Sequence, residues 1–302
     1  MNGIAQQIAR QETLPHIRPH SVAVKDPNTW IVANGATDRG LVRERNEDQF
    51  LIADLTRTTS IRQCGVEGFD PHVVKSPQAT LLAVADGLGG HGGGDLASAV
   101  ALDALAGYIC STLPWGSPHS LADAKAIEET LEHAFWYCQE RVVAASVRKH
   151  LADTKPGTTL TMAYVVGDLG YLVHAGDSRA YLLRNGELSQ LTVDHTLAQE
   201  LADFGSAPED YNSKFQNVLS NAIGAGAEGL RADVLRVALK NDDVILLCTD
   251  GLTRYLSSNE LQLGLTAEAN TAHAAQDLVD VARQRGGQDN ITAIVARFCD
   301  RR

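Results

Sequence analysis

The stretch TLLAVADGLGGHGGGD, Thr80 to Asp95, decides how the rest of the chain is read. Its apolar run has the length of a buried strand bounded by turn residues. Gly87, Gly89, Gly90, Gly92, Gly93 and Gly94 then open backbone conformations closed to other residues. Asp86 is therefore expected at a strand end, beside exposed and adaptable backbone. Three readings stay open at this point. Gly87 to Gly92 spells the G-x-G-x-x-G of a dinucleotide-binding turn. Asp86 could instead be a metal ligand of a hydrolase, with the glycines leaving room for a phosphate group. The third reading is a turn into a helix with no chemistry.

Composition narrows the classes. With 302 residues, 44% hydrophobic and 21% charged, the chain has ordinary globular composition and enough apolar residues for a large core. A formal charge of -11 argues against sequence-independent nucleic-acid binding, which relies on Lys and Arg to neutralise phosphates. It would also repel a phosphorylated substrate unless bound cations reversed the local field. The five cysteines, Cys64, Cys110, Cys138, Cys248 and Cys299, contain no C-x-x-C pair, so neither a disulfide framework nor a zinc ribbon is indicated. No run reaches the length of a membrane span and the N-terminus has no apolar signal core. A cytoplasmic protein with no membrane association is expected.

Residues 1–29 read as an extension, flexible in part, and 30–302 as a single domain. Trp30 to Thr37 and Asp48 to Ala53 read as strands joined by a charged segment, followed by an insertion near 54–79. After the glycines, Leu96, Val100, Ala104, Leu105 and Tyr108 mark one helix face. A longer helix opens at Ser120, with a capping box to Asp123 and the face Ile127, Leu131, Ala134, Phe135, Cys138 and Val142. Thr158 to Leu191 reads as a four-strand meander with turns at Gly167-Asp168 and Asn185-Gly186. A helix starts near Thr196; strands resume at Val234 to Leu239 and Val244 to Cys248. Helices follow Ser257 and span Ala275 to Gln284, and Ile291 to Phe298 is the last strand. Strand blocks interrupted by helix pairs give an α+β layered domain. A dinucleotide fold is disfavoured, because two helices in succession follow the glycines where that fold needs one crossover helix and a parallel strand.

Aspartates recur beside small residues: Glu47-Asp48, Asp86-Gly87, Gly176-Asp177-Ser178, Asp250-Gly251 and Asp289-Asn290. Singly, each is an ordinary turn signal. Together they are harder to dismiss: Asp86 and Asp250 each end an apolar run and precede Gly-Leu, so two central strands would bring matching carboxylates to one edge. Converging carboxylates repel one another unless a positive charge sits among them. Oxygen-only ligands suit Mg²⁺ or Mn²⁺ rather than Zn²⁺. His91 and His195 fit no zinc spacing and are read as loop or surface histidines.

The motifs TDRGLVRERNEDQ (37–49), VADGLGGHGGG (84–94), GTTLT (157–161), HAGDSRAYLLR (174–184), LTVDHTL (191–197), CTDGLT (248–253) and GQDNIT (287–292) resemble the metal-dependent protein serine/threonine phosphatases of type 2C in their bacterial form, in family order. The resemblance implies a four-layer α/β/β/α sandwich of two mostly antiparallel sheets covered by helices. It implies two ions, Mn²⁺ or Mg²⁺, with room for a third. Asp86 would bridge the pair, Gly87 would offer its carbonyl, and Asp250 and Asp289 with Glu47 or Asp48 would complete the set. Asp177 with Asp250 would hold the weaker third ion, and Arg43 would grip the substrate phosphate. The reaction would be hydrolysis of phosphoserine or phosphothreonine in proteins by a metal-activated water. Substrates would be phosphorylated proteins, with a Ser/Thr protein kinase as the opposing enzyme and one candidate substrate; a monomer is expected.

One departure is the histidine that animal members often carry after Asp-Gly: here it is Leu88. A variable flap is expected near 204–230, where substrate choice would reside. Two rivals remain. Cys248 to Arg254 satisfies the C-x5-R of a cysteine phosphatase, although Leu247 replaces the usual histidine and Asp250 would put negative charge inside an anion-binding loop. The other is a binding module that keeps the fold without turnover, against which stand the retained aspartates.

Overall fold

Strands buried on both faces form the middle of the molecule, which is why their sequences run apolar without alternation. The computed structural model describes residues 31–56, 79–89, 93–113, 121–205, 215, 217–224 and 229–299. The extension 1–29, most of the insertion near 54–79, His91, the Ser120 cap and part of the segment near 204–230 lie outside the described residues.

One sheet contains β1 (Ile31–Asp38), β8 (Arg179–Arg184), β9 (Glu187–Gln190), β11 (Val244–Cys248) and β12 (Ile291–Phe298), in the order β1-β12-β11-β8-β9. The second contains β2 (Gln49–Leu55), β3 (Ala79–Ala85), β6 (Leu160–Val166), β7 (Leu169–Ala175) and β10 (Asp233–Ala238), in the order β10-β7-β6-β3-β2. Every pairing is antiparallel. A two-stranded ladder joins β4 (Gly87–Leu88) to β5 (Gly157–Thr158) at the sheet end.

Three apolar cores separate four layers. Between the sheets lie Leu82, Val84, Val165, Leu172, Ile245, Leu247, Ile294 and Phe298. The outer face of the β3-β6-β7 sheet is covered by α1 (Gly94–Thr112) and α2 (Leu121–Arg148). The whole expected face of α2, Ile127, Leu131, Ala134, Phe135, Cys138 and Val142, is buried there. On α1 the expected Ala104 and Leu105 are buried, and the buried face extends to Ala97, Ser98, Ala101, Leu102 and Ile109, whereas Leu96, Val100 and Tyr108 are only partly buried. Its small residues let the helix lie close to the sheet, while Val100 and Tyr108 pack at the margin. Across the other sheet lie α4 (Asp250–Thr253), α5 (Ser258–Ala267) and α6 (Thr271–Gln284). α6 buries Ala274, Ala275, Leu278, Val279 and Ala282, a full amphipathic stripe. A short α3 (Leu197–Asp203) is capped by Thr196, whose hydroxyl accepts from the Gln199 N–H.

Local punctuation behaves as read. Asn185 and Gly186 both take positive φ, 53° and 82°, in the two-residue β8–β9 turn. Ser257 and Glu260 form the reciprocal capping box of α5. The expected four-strand meander is the main correction: β6–β7 and β8–β9 are two hairpins in different sheets, and the chain changes sheet at Gly176–Ser178. Likewise β3 and β11 belong to different sheets, so Asp86 and Asp250 face each other from two sheets rather than sharing one edge. Among the described residues no helix is long and apolar enough to cross a membrane.

Candidate active site

The site lies where both sheets end together. Asp86 follows β3, Asp177 sits in the sheet-changing turn before β8, Asp250 opens α4 after β11, and Asp289 precedes β12. Single carboxylate oxygens of Asp86, Asp177 and Asp250 all lie within 4.8 Å of one another. They border a cleft of about 390 Å³ that is also lined by Arg43, Glu47, Gly87, Leu88, Asp289, Asn290, Arg254, Asn217 and Leu219.

Each carboxylate is held from behind. The Asp86 N–H donates to Thr159 Oγ1 at 2.9 Å, and the Asp86 carbonyl accepts from the Thr159 N–H and the Thr158 hydroxyl. Asp48 is buried beneath the cleft, its Oδ2 accepting from the hydroxyls of Thr249 at 2.8 Å and Thr292 at 2.7 Å. Asn290 fastens the Arg39–Glu47 loop: its amide donates to the carbonyls of Arg39 and Arg45, and its Oδ1 accepts from the Glu47 N–H. Gly87 and Gly251 are required by close approach. A Cβ on Gly87 would lie 2.4 Å from the Gly94 carbonyl oxygen, and one on Gly251 would lie 1.9 Å from that of Asn290.

Burial pushes Asp48 up to about 7, against the two threonine hydrogen bonds, with Asp250 and Asp289 adding to the rise. Asp177 is pushed up to about 7 by burial and then by Asp250. Burial, then Asp48 and Asp250, raises Asp86 well above the usual carboxylate range. Burial raises Asp250 as well, opposed by Arg254. Asp48 Oδ1 and Asp250 Oδ1 are buried without hydrogen-bond partners. An all-oxygen set this short of positive charge is the donor chemistry that hard divalent cations take, so the residues present fit Mg²⁺ or Mn²⁺.

Two guanidinium groups reach the cluster. Arg43 donates from Nη2 to Asp289 Oδ2 at 2.8 Å, with half its side chain exposed to the cleft. Arg254 donates to Asp250 Oδ2 and stands 3.6 Å from Asp289 Oδ2. The sequence reading met Arg254 only as the last residue of C-x5-R and missed its place here; its position four residues after Asp250 in a helical turn is the signal that could have found it. Glu47 faces the cleft, whereas Asp48 supports it from below. Cys248 is buried within β11 with its thiol pushed up to about 12 by that burial, which ends the cysteine-nucleophile reading. The four described cysteines, Cys110, Cys138, Cys248 and Cys299, are free.

His195 lies in a loop, one of the two places the sequence reading allowed, but it is 2% exposed and so not a surface residue. The backbone turn that precedes α3 closes against Gly176 and Ser220, drawing the ring inward.

Two inner sheets, four carboxylates at their common end and an adjacent arginine define a metal-dependent phosphatase of the α/β/β/α class. Residues 68–295 match the protein phosphatase 2C family, and the chain belongs to it as a protein serine/threonine phosphatase. It is 30% identical over 261 residues to the serine/threonine phosphatase stp of Listeria monocytogenes, covering 86% of this chain and 92% of that protein. To the serine/threonine protein phosphatase PstP of Mycobacterium tuberculosis it is 34% identical over 265 residues, which is 87% of this chain and 44% of the longer PstP. The crystal structure of the PstP catalytic domain in complex with two manganese ions superposes with a TM-score of 0.68 at 30% identity, covering 89% of this chain and 99% of that one.

Proposed function

We propose that this site hydrolyses phosphoserine and phosphothreonine in proteins with two divalent cations, Mn²⁺ or Mg²⁺, and a third more weakly held. Asp86, Asp250 and Asp289, the Gly87 carbonyl, and Glu47 with Asp48 beneath it hold the pair; Asp177 with Asp250 holds the third. The observation that carries this reading is the convergence of Asp86, Asp177 and Asp250, together with the buried, unpartnered Oδ1 atoms of Asp48 and Asp250. Bound cations supply the charge that activates water and offsets the phosphoryl oxygens.

The chain's own residues do the positioning. Thr158 and Thr159 fix the Asp86 peptide, Thr249 and Thr292 fix Asp48, and Asn290 holds Glu47 to the Asp289 turn. Arg43, free to swing from Asp289 with half its surface exposed, grips the substrate phosphate. Leu88 stands in the cleft lining where animal members often carry a histidine, and no histidine is among the described lining residues.

Residues 30–302 form one phosphatase domain, monomeric and cytoplasmic, whose substrates are phosphoproteins controlled by a Ser/Thr kinase. The segment near 204–230, which supplies Asn217 and Leu219 to the cleft, sets substrate choice. Release of inorganic phosphate from a phosphothreonine peptide, followed with Mn²⁺ and after EDTA, tests the reading. Turnover that survives EDTA and the Asp86→Asn substitution would overturn it.

A further inference from the structure

His195 has every polar atom committed, and its partners belong to different chain segments that reach the cleft. Nδ1 lies 3.1 Å from the Gly176 N–H and 3.0 Å from the Asn221 side-chain amide. Both groups donate. The Asn221 orientation is fixed independently, because its Nδ2 donates to the Arg231 carbonyl while its Oδ1 accepts from the Arg231 N–H. Nδ1 is therefore the unprotonated acceptor, and the ring proton sits on Nε2, donated to Asp233 Oδ2 at 3.0 Å. The His195 main chain repeats the connection: its N–H donates to the Gly176 carbonyl at 2.7 Å, and its carbonyl accepts from the Ser220 N–H at 3.0 Å.

What these partners carry gives the ring its meaning. Gly176 takes φ of 116°, and a Cβ there would lie 2.5 Å from Thr159 Cγ2, so the peptide has little room to settle elsewhere. The next residue is Asp177, one of the three converging carboxylates. Asn221 lies in the segment whose Asn217 and Leu219 line the cleft, and Thr196 bridges to Leu219. The His174 ring packs against it, tilted by 33° at a centroid distance of 4.7 Å.

We propose that His195 is a positioning residue: its Nδ1 lone pair fixes the Gly176 peptide that aims Asp177 and, through Asn221, the Leu219 wall of the cleft. The weak metal position and the substrate wall are thereby set by one imidazole. The proposal rests on the reading of Asp177 as a metal ligand.

Two amide replacements separate the ring's ends. In His195→Asn the side-chain oxygen can occupy the place of Nδ1, and in His195→Gln the amide nitrogen can occupy that of Nε2. Mn²⁺ is titrated calorimetrically into wild type, both variants and Asp177→Asn, with thermal melts to confirm folding and kcat and KM measured on a phosphothreonine peptide. Expected is a loss of the weakest Mn²⁺ event in Asp177→Asn, and its weakening by about tenfold in His195→Gln, the low end for a residue supporting a metal ligand. KM rises with it, and His195→Asn restores both towards wild type. Wild-type Mn²⁺ binding and KM in folded His195→Gln, or equal loss in both amide variants, overturns the proposal while leaving the phosphatase reading intact. Unchanged Mn²⁺ binding in Asp177→Asn removes Asp177 as a ligand and takes this proposal with it. Should His195→Gln not fold, Asn221→Ala carries the test: a raised KM with kcat held within about twofold supports the proposal, and an unchanged KM overturns it.

Discussion

Replacing Gly251 by alanine adds one methyl group at the most crowded point of the site. That carbon would stand 1.9 Å from the Asn290 carbonyl oxygen, so ordinary contact requires the Asp250 and Asp289 turns to separate by about 1.5 Å. The carbonyl cannot swing aside cheaply, because the Asn290 side chain is bound at three points to the Arg39–Glu47 loop. Gly251 has no positive φ, so the effect is steric and not conformational. A displacement near 1 Å in a positioned site costs about 10²-fold in rate, and overpacking costs roughly 1–3 kcal/mol of stability. Expected for Gly251→Ala is therefore a fall in kcat/KM of about 10² or more, with weakened Mn²⁺ binding and a retained circular-dichroism spectrum. Gly107→Ala is the matched reference: exposed in the middle of α1 with no atom within 4 Å of the added carbon, it should stabilise by roughly 1 kcal/mol. Turnover within twofold of wild type in Gly251→Ala, with unchanged Mn²⁺ affinity, would refute the interlock.

Arg43→Ala should lower kcat/KM by about 10² to 10³, the scale of one lost preorganised donor to a developing anion, with the melting curve little changed. Iodoacetamide should leave the native enzyme's turnover unaltered, because Cys248 is buried and its thiol is held up to about 12, while EDTA should abolish it; loss on alkylation of the folded enzyme would revive the cysteine mechanism. His174 is held down to about 4, chiefly by burial and then by His195, so between about pH 6.5 and 4 the unfolded chain binds a proton that the folded protein does not. Stability contributed by the neutral ring is thus lost as pH falls through that window, by roughly 3 kcal/mol at about 1.4 kcal/mol per pH unit. His174→Gln should flatten that part of the wild-type curve in urea unfolding with EDTA present, and parallel curves would show the assignment to be wrong.

Much of this architecture was legible because the signals were local. Asn185-Gly186 demands a two-residue hairpin whatever surrounds it, and Ser257 with Glu260 closes its own cap. The ordered Asp-Gly motifs carried the site because the chemistry constrains residue type at strand ends. Which sheet a strand joins was not legible. β6 and β8 are both apolar on two faces, so period-two patterning is silent and only the turn at Gly176–Ser178 decides the partner. The burial of the His195 loop was hidden for a similar reason. A histidine in a polar stretch carries no mark of burial, and its three partners, Gly176, Asn221 and Asp233, are dispersed along the chain.

The pairing of β1 with β12 also governs the order in which the enzyme can come into being. Arg43 and Asp289 meet across 246 residues, and the strand that follows Asp289 occupies the slot between β1 and β11. A nascent chain emerging from the ribosome can close the β6–β7 hairpin early, but β1 must wait for its neighbour until the domain is almost fully synthesised. Closure across so long a loop is slow relative to hairpin formation. Arg43 and Asp289 can therefore meet only once β12, the last strand of this domain, is in place.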